Sequence, residues 1–250
     1  MAAGACLCSE TGFNMHENPF DVDYGSGETE YERYLRTSEL LSLQKPAPRR
    51  SHPDELLFQV IHQVEELWMK AAIHELGETA RALPESEHEQ ARAALCRAGR
   101  LFALCANQLL LFDTMLPSAY LVIRRGLGRG SGMDSPGYCR VGEVVPAVWG
   151  AFEGALGQEH LDLVALYQEP SPHPRLLAVA EAMVSFDAEV QRFKREHIMT
   201  VRRIIGTGTA SLRGNPMDML ERSAKLTHFP MLWAVRDRMF LDFRTGPLSP

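Results

Sequence analysis

Apolar residues recur every three or four positions along most of the chain, which is the spacing of amphipathic α-helices. The two-residue alternation typical of half-buried strands is almost absent. The sequence therefore predicts an all-α fold, a multi-helix bundle with several long helices. The predicted helices span residues 28–44, 54–81, 88–115, 145–167, 174–206, 217–226 and 229–240. A segment at 118–138 begins as a helix and becomes a glycine-rich loop.

Length and composition fit an ordinary globular protein. The chain has 250 residues, of which 45% are hydrophobic and 23% charged, with a net charge of −6. These values predict one helical domain over 1–250 with an irregular N-terminal arm at 1–28. No basic run indicates nucleic-acid binding. No uninterrupted apolar stretch of about 18 residues and no signal-peptide pattern is present, so we expect no membrane association and a cytoplasmic location.

Two histidines lie on apolar helical faces. In "LFQVIHQVEELWMKAAIHEL" (57–76), His62 follows Phe58 by one turn, and Glu65 shares that face. In the long helix 174–206, His197 lies one turn from Phe193 in a buried stripe. Each histidine has two interpretations: a core imidazole held by one or two hydrogen bonds, or a ring nitrogen directed into a pocket.

The number of protein ligands that each kind of metal site needs distinguishes the sites to which such histidines could belong. Zinc requires three or four ligands, yet the chain has no H-x-x-x-H pair, and the Cys6-x-Cys8 pair has no second Cys/His pair at metal-site spacing. A di-iron bundle requires two Glu-x-x-His motifs, and the one such spacing, Glu85 to His88, falls in a predicted connector. Haem requires one protein nitrogen in a deep apolar slot, which His197 can supply. Core packing of His197 remains the alternative.

A third candidate for a functional site lies at "SAYLVIRR". Tyr120 and Arg124 are four residues apart and share a helix face just before the glycine-rich loop. A guanidinium and a phenol directed to one point can hold a carboxylate through a bidentate pair and one further hydrogen bond. The alternative is a solvated arginine stacked on the tyrosine.

Several segments, taken together and in order, resemble the tryptophan 2,3-dioxygenase family. They are "YERYLRTSELLSLQKP" (31–46), "DELLFQVIHQVEELWMK" (54–70), "YLVIRRGLGRGSGMDS" (120–135), "HIMTVRRIIG" (197–206) and "LTHFPMLWAVR" (226–236). These segments are spread over the whole chain, and the combination of motifs is specific.

The resemblance implies a helical bundle that encloses haem b and assigns a role to each candidate. His197 matches the proximal histidine that ligates the haem iron. His62 matches the distal histidine near the indole nitrogen of the substrate, and Phe58 matches an aromatic wall on the indole. Arg124 and Tyr120 match the residues that hold the substrate carboxylate.

The resemblance also implies an assembly, because Tyr31, Tyr34 and Leu35 match a segment that completes the pocket of a neighbouring subunit. We therefore expect a homo-oligomer, usually a tetramer in this family. The residue that contacts the substrate ammonium matches Ser211 when the chains are aligned without a gap, and Thr207 in an alternative register.

The activity implied is oxygenation of the indole ring of L-tryptophan or a close derivative by ferrous haem and O2. Two departures bear on the product: the loop 207–216 has lost glycines of the family pattern, and the region after Ser135 is shorter. The product is therefore N-formylkynurenine or the result of single-oxygen insertion. A monooxygenase that forms a 2-oxindole or hydroxylated product in a secondary-metabolite pathway is the alternative, and a non-catalytic haem sensor is a more remote one.

Overall fold

The computed structural model describes residues 27–128, 130–206 and 222–245, and within these ranges every regular element is helical. The all-α fold class is therefore confirmed. The chain divides into two compact units, Met1–Pro48 and Arg49–Pro250. The expectation of one domain over 1–250 stays a prediction.

The first unit contains two short helices where the sequence predicts one. Helix α1 (Glu30–Leu35) starts with a capping box between Thr29 and Glu32. It ends at Arg36, whose φ of 55° is left-handed and whose N–H donates to the Glu32 carbonyl. Helix α2 (Thr37–Leu41) follows directly. An apolar pattern cannot reveal this break, because a single non-glycine residue adopts the left-handed conformation.

Seven α-helices with both ends described follow in the second unit, and residues 222–225 are also helical. The seven are α3 (Glu55–Ala82), α4 (His88–Gln108), α5 (Pro117–Gly126), α6 (Pro136–Gln158), α7 (Leu163–Gln168), α8 (Pro174–Ile205) and α9 (Pro230–Thr245). Prolines open α5, α6, α8 and α9, where a missing N–H has no helical partner to lose. The predicted helix 145–167 is in fact the end of α6 and all but the last residue of α7. The predicted helix 88–115 ends as a 3-10 segment, Leu109–Thr114.

Helix α4 lies between α3 and α8, and α3 also packs on α6. The fully buried Phe102 on α4 meets Phe186 and Phe193 of α8 edge-on, with ring centroids 5.6 Å and 6.0 Å apart. The two helices are close here, since a Cβ on Gly99 would lie in van der Waals contact, at 3.5 Å, with the Phe186 backbone. Because α4 packs on both α3 and α8, it sets the spacing between His62 on α3 and His197 on α8.

One helical stretch, His88–Thr114, is long and apolar enough by length and composition to cross a membrane. Nearly half of its most apolar window is buried inside the protein. A core helix meets the same criterion, and α4 packs against two other helices.

The segment before α9 is fastened to α8 by a buried carboxylate. Asp187 is fully buried and accepts hydrogen bonds from the His228 and Phe229 backbone N–H groups and from Trp233 Nε1, at 2.9–3.2 Å. Two turns further along α8, the Lys194 ammonium donates to the Leu226 carbonyl at 2.8 Å. These bonds hold residues 226–233 beside the half of α8 that carries His197.

Candidate functional site

The His62 ring is oriented by its own helix. Its Nδ1 donates to the Phe58 carbonyl one turn earlier, at 2.7 Å. Because a carbonyl only accepts, this bond assigns the proton to Nδ1 and leaves Nε2 as an acceptor. Burial is the main cause that lowers the pKa of His62, so the neutral ring predominates at neutral pH. The local interaction that the core interpretation required is present, but it occupies only one ring nitrogen.

The His62 ring belongs to a cluster of four aromatic rings. The Phe58 and His62 centroids are 4.3 Å apart, and Phe112 lies 5.9 Å from Phe58 and 5.6 Å from His62. The Tyr120 ring lies 6.2 Å from Phe58. The structure thus brings the predicted residues Phe58, His62 and Tyr120 together. Sequence reasoning missed Phe112, whose apolar position on a predicted helix gave no sign that it faces His62.

Tyr120 and Arg124 lie on one face of α5, as predicted, and both are partly buried. Burial raises the pKa of Tyr120, and the nearby Arg124 charge opposes that rise. The phenol therefore stays protonated and can donate a hydrogen bond beside a cation. This arrangement suits a carboxylate placed next to the aromatic cluster.

A cavity separates His62 from His197. Together with the solvent space at its open mouth, it measures about 650 Å³. Its largely apolar wall includes Met69, Gly132, Met133, Tyr138, Phe193 and Ile198. His197 retains some surface exposure, yet burial by the surrounding atoms, followed by the proximity of His62, lowers its pKa to about 4. Both imidazoles are therefore neutral at pH 7, which is the form that can coordinate a metal or accept a hydrogen bond.

The residues around His197 fit a haem. Among the described residues none hydrogen-bonds to its ring, which stacks on Phe193 at 6.2 Å. A Cβ on Gly132 would lie 3.2 Å from His197 Nε2, so a side chain at this position would press on the ring. One neutral imidazole in an apolar slot is the donor set for haem iron, and Lys194 adds a cation to the wall. The described residues contain no group of three or more His, Cys, Asp or Glu side chains that could hold another metal.

The wall that carries Gly132 is tied to α3 by Glu66. This carboxylate accepts from Ser135 Oγ and from the Gly137 backbone N–H, the latter at 2.9 Å. A Cβ on Gly137 would lie 2.8 Å from Met69 Cβ, so the start of α6 can approach α3 this closely only with a glycine. Sequence reasoning missed this anchor, because its partners are about 70 positions apart.

Among the predicted site residues that the structure describes in the second unit, His62 and His197 line this cavity, and Phe58, Tyr120 and Arg124 do not. Tyr31, Tyr34 and Leu35 belong to the first unit, where their side chains are exposed. Ser211 and its alternative Thr207 lie outside the described residues. Their proposed contacts remain predictions.

Fold and site together define a helical protein in which two imidazoles line one cavity. Among the described residues His197 has no hydrogen-bond partner, and His62 is oriented by the Phe58 carbonyl. The sequence comparisons agree and are more specific. A family model described as tryptophan 2,3-dioxygenase matches residues 16–145. The chain belongs to the tryptophan 2,3-dioxygenase family.

Curated relatives named tryptophan 2,3-dioxygenase cover most of the chain. The protein of Bradyrhizobium sp. (strain ORS 278) is 30% identical over 262 aligned positions, which include 84% of this chain and 92% of the relative. Those of Myxococcus xanthus (strain DK1622) and Caulobacter vibrioides are 27% and 28% identical and are covered over 91% and 98% of their lengths. Since 84% of this chain is 210 residues, roughly 50 aligned positions of the Bradyrhizobium protein have no counterpart here.

Proposed function

We propose that this protein is a haem-dependent oxygenase that acts on the indole ring of L-tryptophan or a close derivative, with O2 as the second substrate. One observation carries the proposal: in a member of this family, the neutral ring of His197, which has no hydrogen-bond partner among the described residues, and the oriented ring of His62 line the same cavity. His197 is the residue that would hold the iron of haem b. The haem, when bound in its ferrous form, would supply the binding and activation of O2.

The proposed role of the surrounding side chains is to position the indole. His62 Nε2 is the free acceptor of its ring, and the indole N–H is a donor only, so the two form a matched pair. Phe58 and Phe112, whose rings lie beside His62, would supply flat apolar contacts for the indole. The indole ring itself provides the electrons for oxygen addition. His62 therefore orients the ring and is not required as a strong base.

The amino-acid end of the substrate needs charged partners. Arg124 and the protonated Tyr120 are the proposed partners of the carboxylate, at a site beside Phe58. Ser211, or Thr207 in the alternative register, is the proposed contact of the ammonium group. Tyr31 and Tyr34 are proposed to complete the pocket of a neighbouring subunit in a homo-oligomer, with a tetramer as the expected size.

Single-oxygen insertion is the second candidate outcome. The family match ends at residue 145, and the chain is shorter than its relatives within the aligned region. The loop 207–216 also lacks glycines at Ala210, Leu212 and Arg213, so its backbone has fewer accessible conformations. A pocket that closes differently could release a 2-oxindole or hydroxylated product instead of N-formylkynurenine.

The decisive experiment uses the purified protein loaded with haem and reduced without oxygen. L-tryptophan and O2 are then added, and the product is analysed by mass spectrometry. Two added oxygen atoms identify dioxygenation, and one identifies monooxygenation. Absence of a Soret band after haem addition, or a Soret band that His197→Ala leaves unchanged, would contradict the proposed ligand.

A further inference from the structure

Glu65 is a buried carboxyl in the cavity wall with an unsatisfied oxygen. Its side chain is 8% exposed, and it lines the same cavity as His62. Its Oε1 is buried and has no hydrogen-bond partner among the described residues, while the Gln108 side chain meets the carboxyl from α4. The adjacent Glu66 differs, because Ser135 and Gly137 satisfy both of its oxygens.

An oxygen in this position requires a partner, since an unpaired buried acceptor costs the protein free energy. The two groups expected in the cavity under the proposed function are haem and the indole substrate. The porphyrin rim carries methyl, vinyl and propionate groups, and at neutral pH none of them offers an N–H or O–H. Of these two groups, only the substrate can carry a matching donor.

Three positions along α3 give the direction in which the substrate lies. Phe58 adjoins Tyr120, beside the proposed carboxylate site, and His62 follows one turn later beside the proposed indole N–H site. Glu65 comes three residues after His62, about 4.5 Å further along the helix axis. The benzo edge of an indole lies beyond its N–H when viewed from the amino-acid end. This edge is the part of the substrate that would reach Glu65.

We propose that Glu65 is a specificity-determining residue that hydrogen-bonds a hydroxyl group on the benzo edge of the substrate, at carbon 6 or 7 of the indole. This inference rests on the proposed function and narrows its substrate class to hydroxylated tryptophans. Burial, together with a smaller effect of the Glu66 charge, raises the pKa of Glu65 to about 7, so both protonation states are populated near neutral pH. A hydroxyl suits this environment because it donates to the ionised form and accepts from the protonated one.

The test compares ligands that differ only in this group. The ferric, haem-loaded protein is titrated with 6-hydroxy-, 7-hydroxy-, 6-methyl- and 7-methyl-L-tryptophan, and binding is followed by the change in the Soret band. We expect one hydroxy compound to bind about tenfold or more tighter than its methyl counterpart, as one hydrogen bond to a buried carboxyl implies. Glu65→Leu should remove or reverse that preference, and Glu65→Gln, which keeps hydrogen-bonding atoms, should retain most of it.

Glu75→Gln is the matched control, because Glu75 lies on the same helix but pairs with Arg97 outside the cavity. It should leave the hydroxy-to-methyl ratio unchanged. A ratio below threefold in the wild type, or an equal ratio in the wild type and Glu65→Leu, overturns the inference. If the wild type still oxygenates L-tryptophan in that case, the proposed function stands. A wild type that binds neither haem nor tryptophan overturns both.

Discussion

The ionised form of Glu65 is unfavourable in the folded protein, because its carboxyl is buried and adjoins Glu66. Its pKa is raised to about 7 from 4.5, so the unfolded chain ionises first as the pH rises. Stability is therefore lost between about pH 4.5 and 7, and the loss is complete above that range. A shift of this size corresponds to an upper bound of about 3 kcal/mol.

Glu65→Gln should therefore stabilise the haem-free protein at pH 8 by about 1–3 kcal/mol, with the gain fading toward pH 4.5. Urea unfolding of both proteins at pH 8 and pH 5 measures this difference. Glu75→Gln, which removes a carboxylate from the same helix, should show no such gain. An equal gain at both pH values would mean that ionisation of Glu65 is not the cause.

His62 offers a second prediction for a single residue. His62→Ala removes the acceptor for the indole N–H and the edge contact with Phe112. One orienting hydrogen bond corresponds to a loss of turnover of about tenfold, with activity still measurable. Steady-state rates at equal haem content test this value. Complete loss of turnover with normal haem content would instead indicate an essential base.

Among the short elements, the 3-10 segment Gly132–Asp134 lies against the His197 ring. Gly132→Ala would place a methyl group 3.2 Å from His197 Nε2. The surrounding chain must then shift, and overpacking of this kind costs about 1–3 kcal/mol. We expect haem affinity to fall by roughly tenfold or more, with helix content unchanged.

Haem titration of the haem-free protein, followed in the Soret region, measures this effect. Gly142→Ala on α6 is the matched control, because no heavy atom lies within 4 Å of a Cβ at that position. Its haem affinity should equal that of the wild type. Unchanged affinity in Gly132→Ala would show that the porphyrin face does not lie against this segment.

The contact between α8 and the start of α9 depends on Asp187. Asp187→Ala would leave the N–H groups of His228, Phe229 and Trp233 without their acceptor. Removing one member of a buried, hydrogen-bonded charge cluster costs about 3 kcal/mol or more. Thermal unfolding should show a clear loss of stability, whereas the exposed Asp237→Ala on α9 should change it by less than about 0.5 kcal/mol. Equal effects in both variants would rule out this contact as a structural anchor.

At the scale of the whole molecule, residues close in sequence were predictable and long-range partners were not. Helical spacing alone placed His62 one turn after Phe58, and the structure joins these two residues by a hydrogen bond. The same face included Glu65, but spacing could not show that its oxygen lacks a partner. The contacts of Glu66 with Ser135 and Gly137 depend on how α6 approaches α3, which no local pattern contains.

The proposed assembly leads to the last prediction. Tyr31 and Tyr34 are 70% and 87% exposed, and large exposed aromatic side chains are typical of surfaces that contact a partner. If Tyr34 completes a neighbour's pocket, then Tyr34→Ala and Arg124→Ala should each inactivate the protein while haem content stays normal. The first variant keeps an intact pocket and the second keeps an intact N-terminal segment.

Co-expression of the two variants with different affinity tags, followed by purification through both tags, yields mixed oligomers. In them an intact N-terminal segment from one subunit can meet an intact pocket in another, and random pairing restores roughly a quarter of the sites. Turnover should rise to about that fraction of the wild-type value. Mixed oligomers with no more activity than the separate variants would mean that Tyr34 acts within its own chain, or not at the pocket. Only a site shared between subunits allows two inactive chains to form an active one.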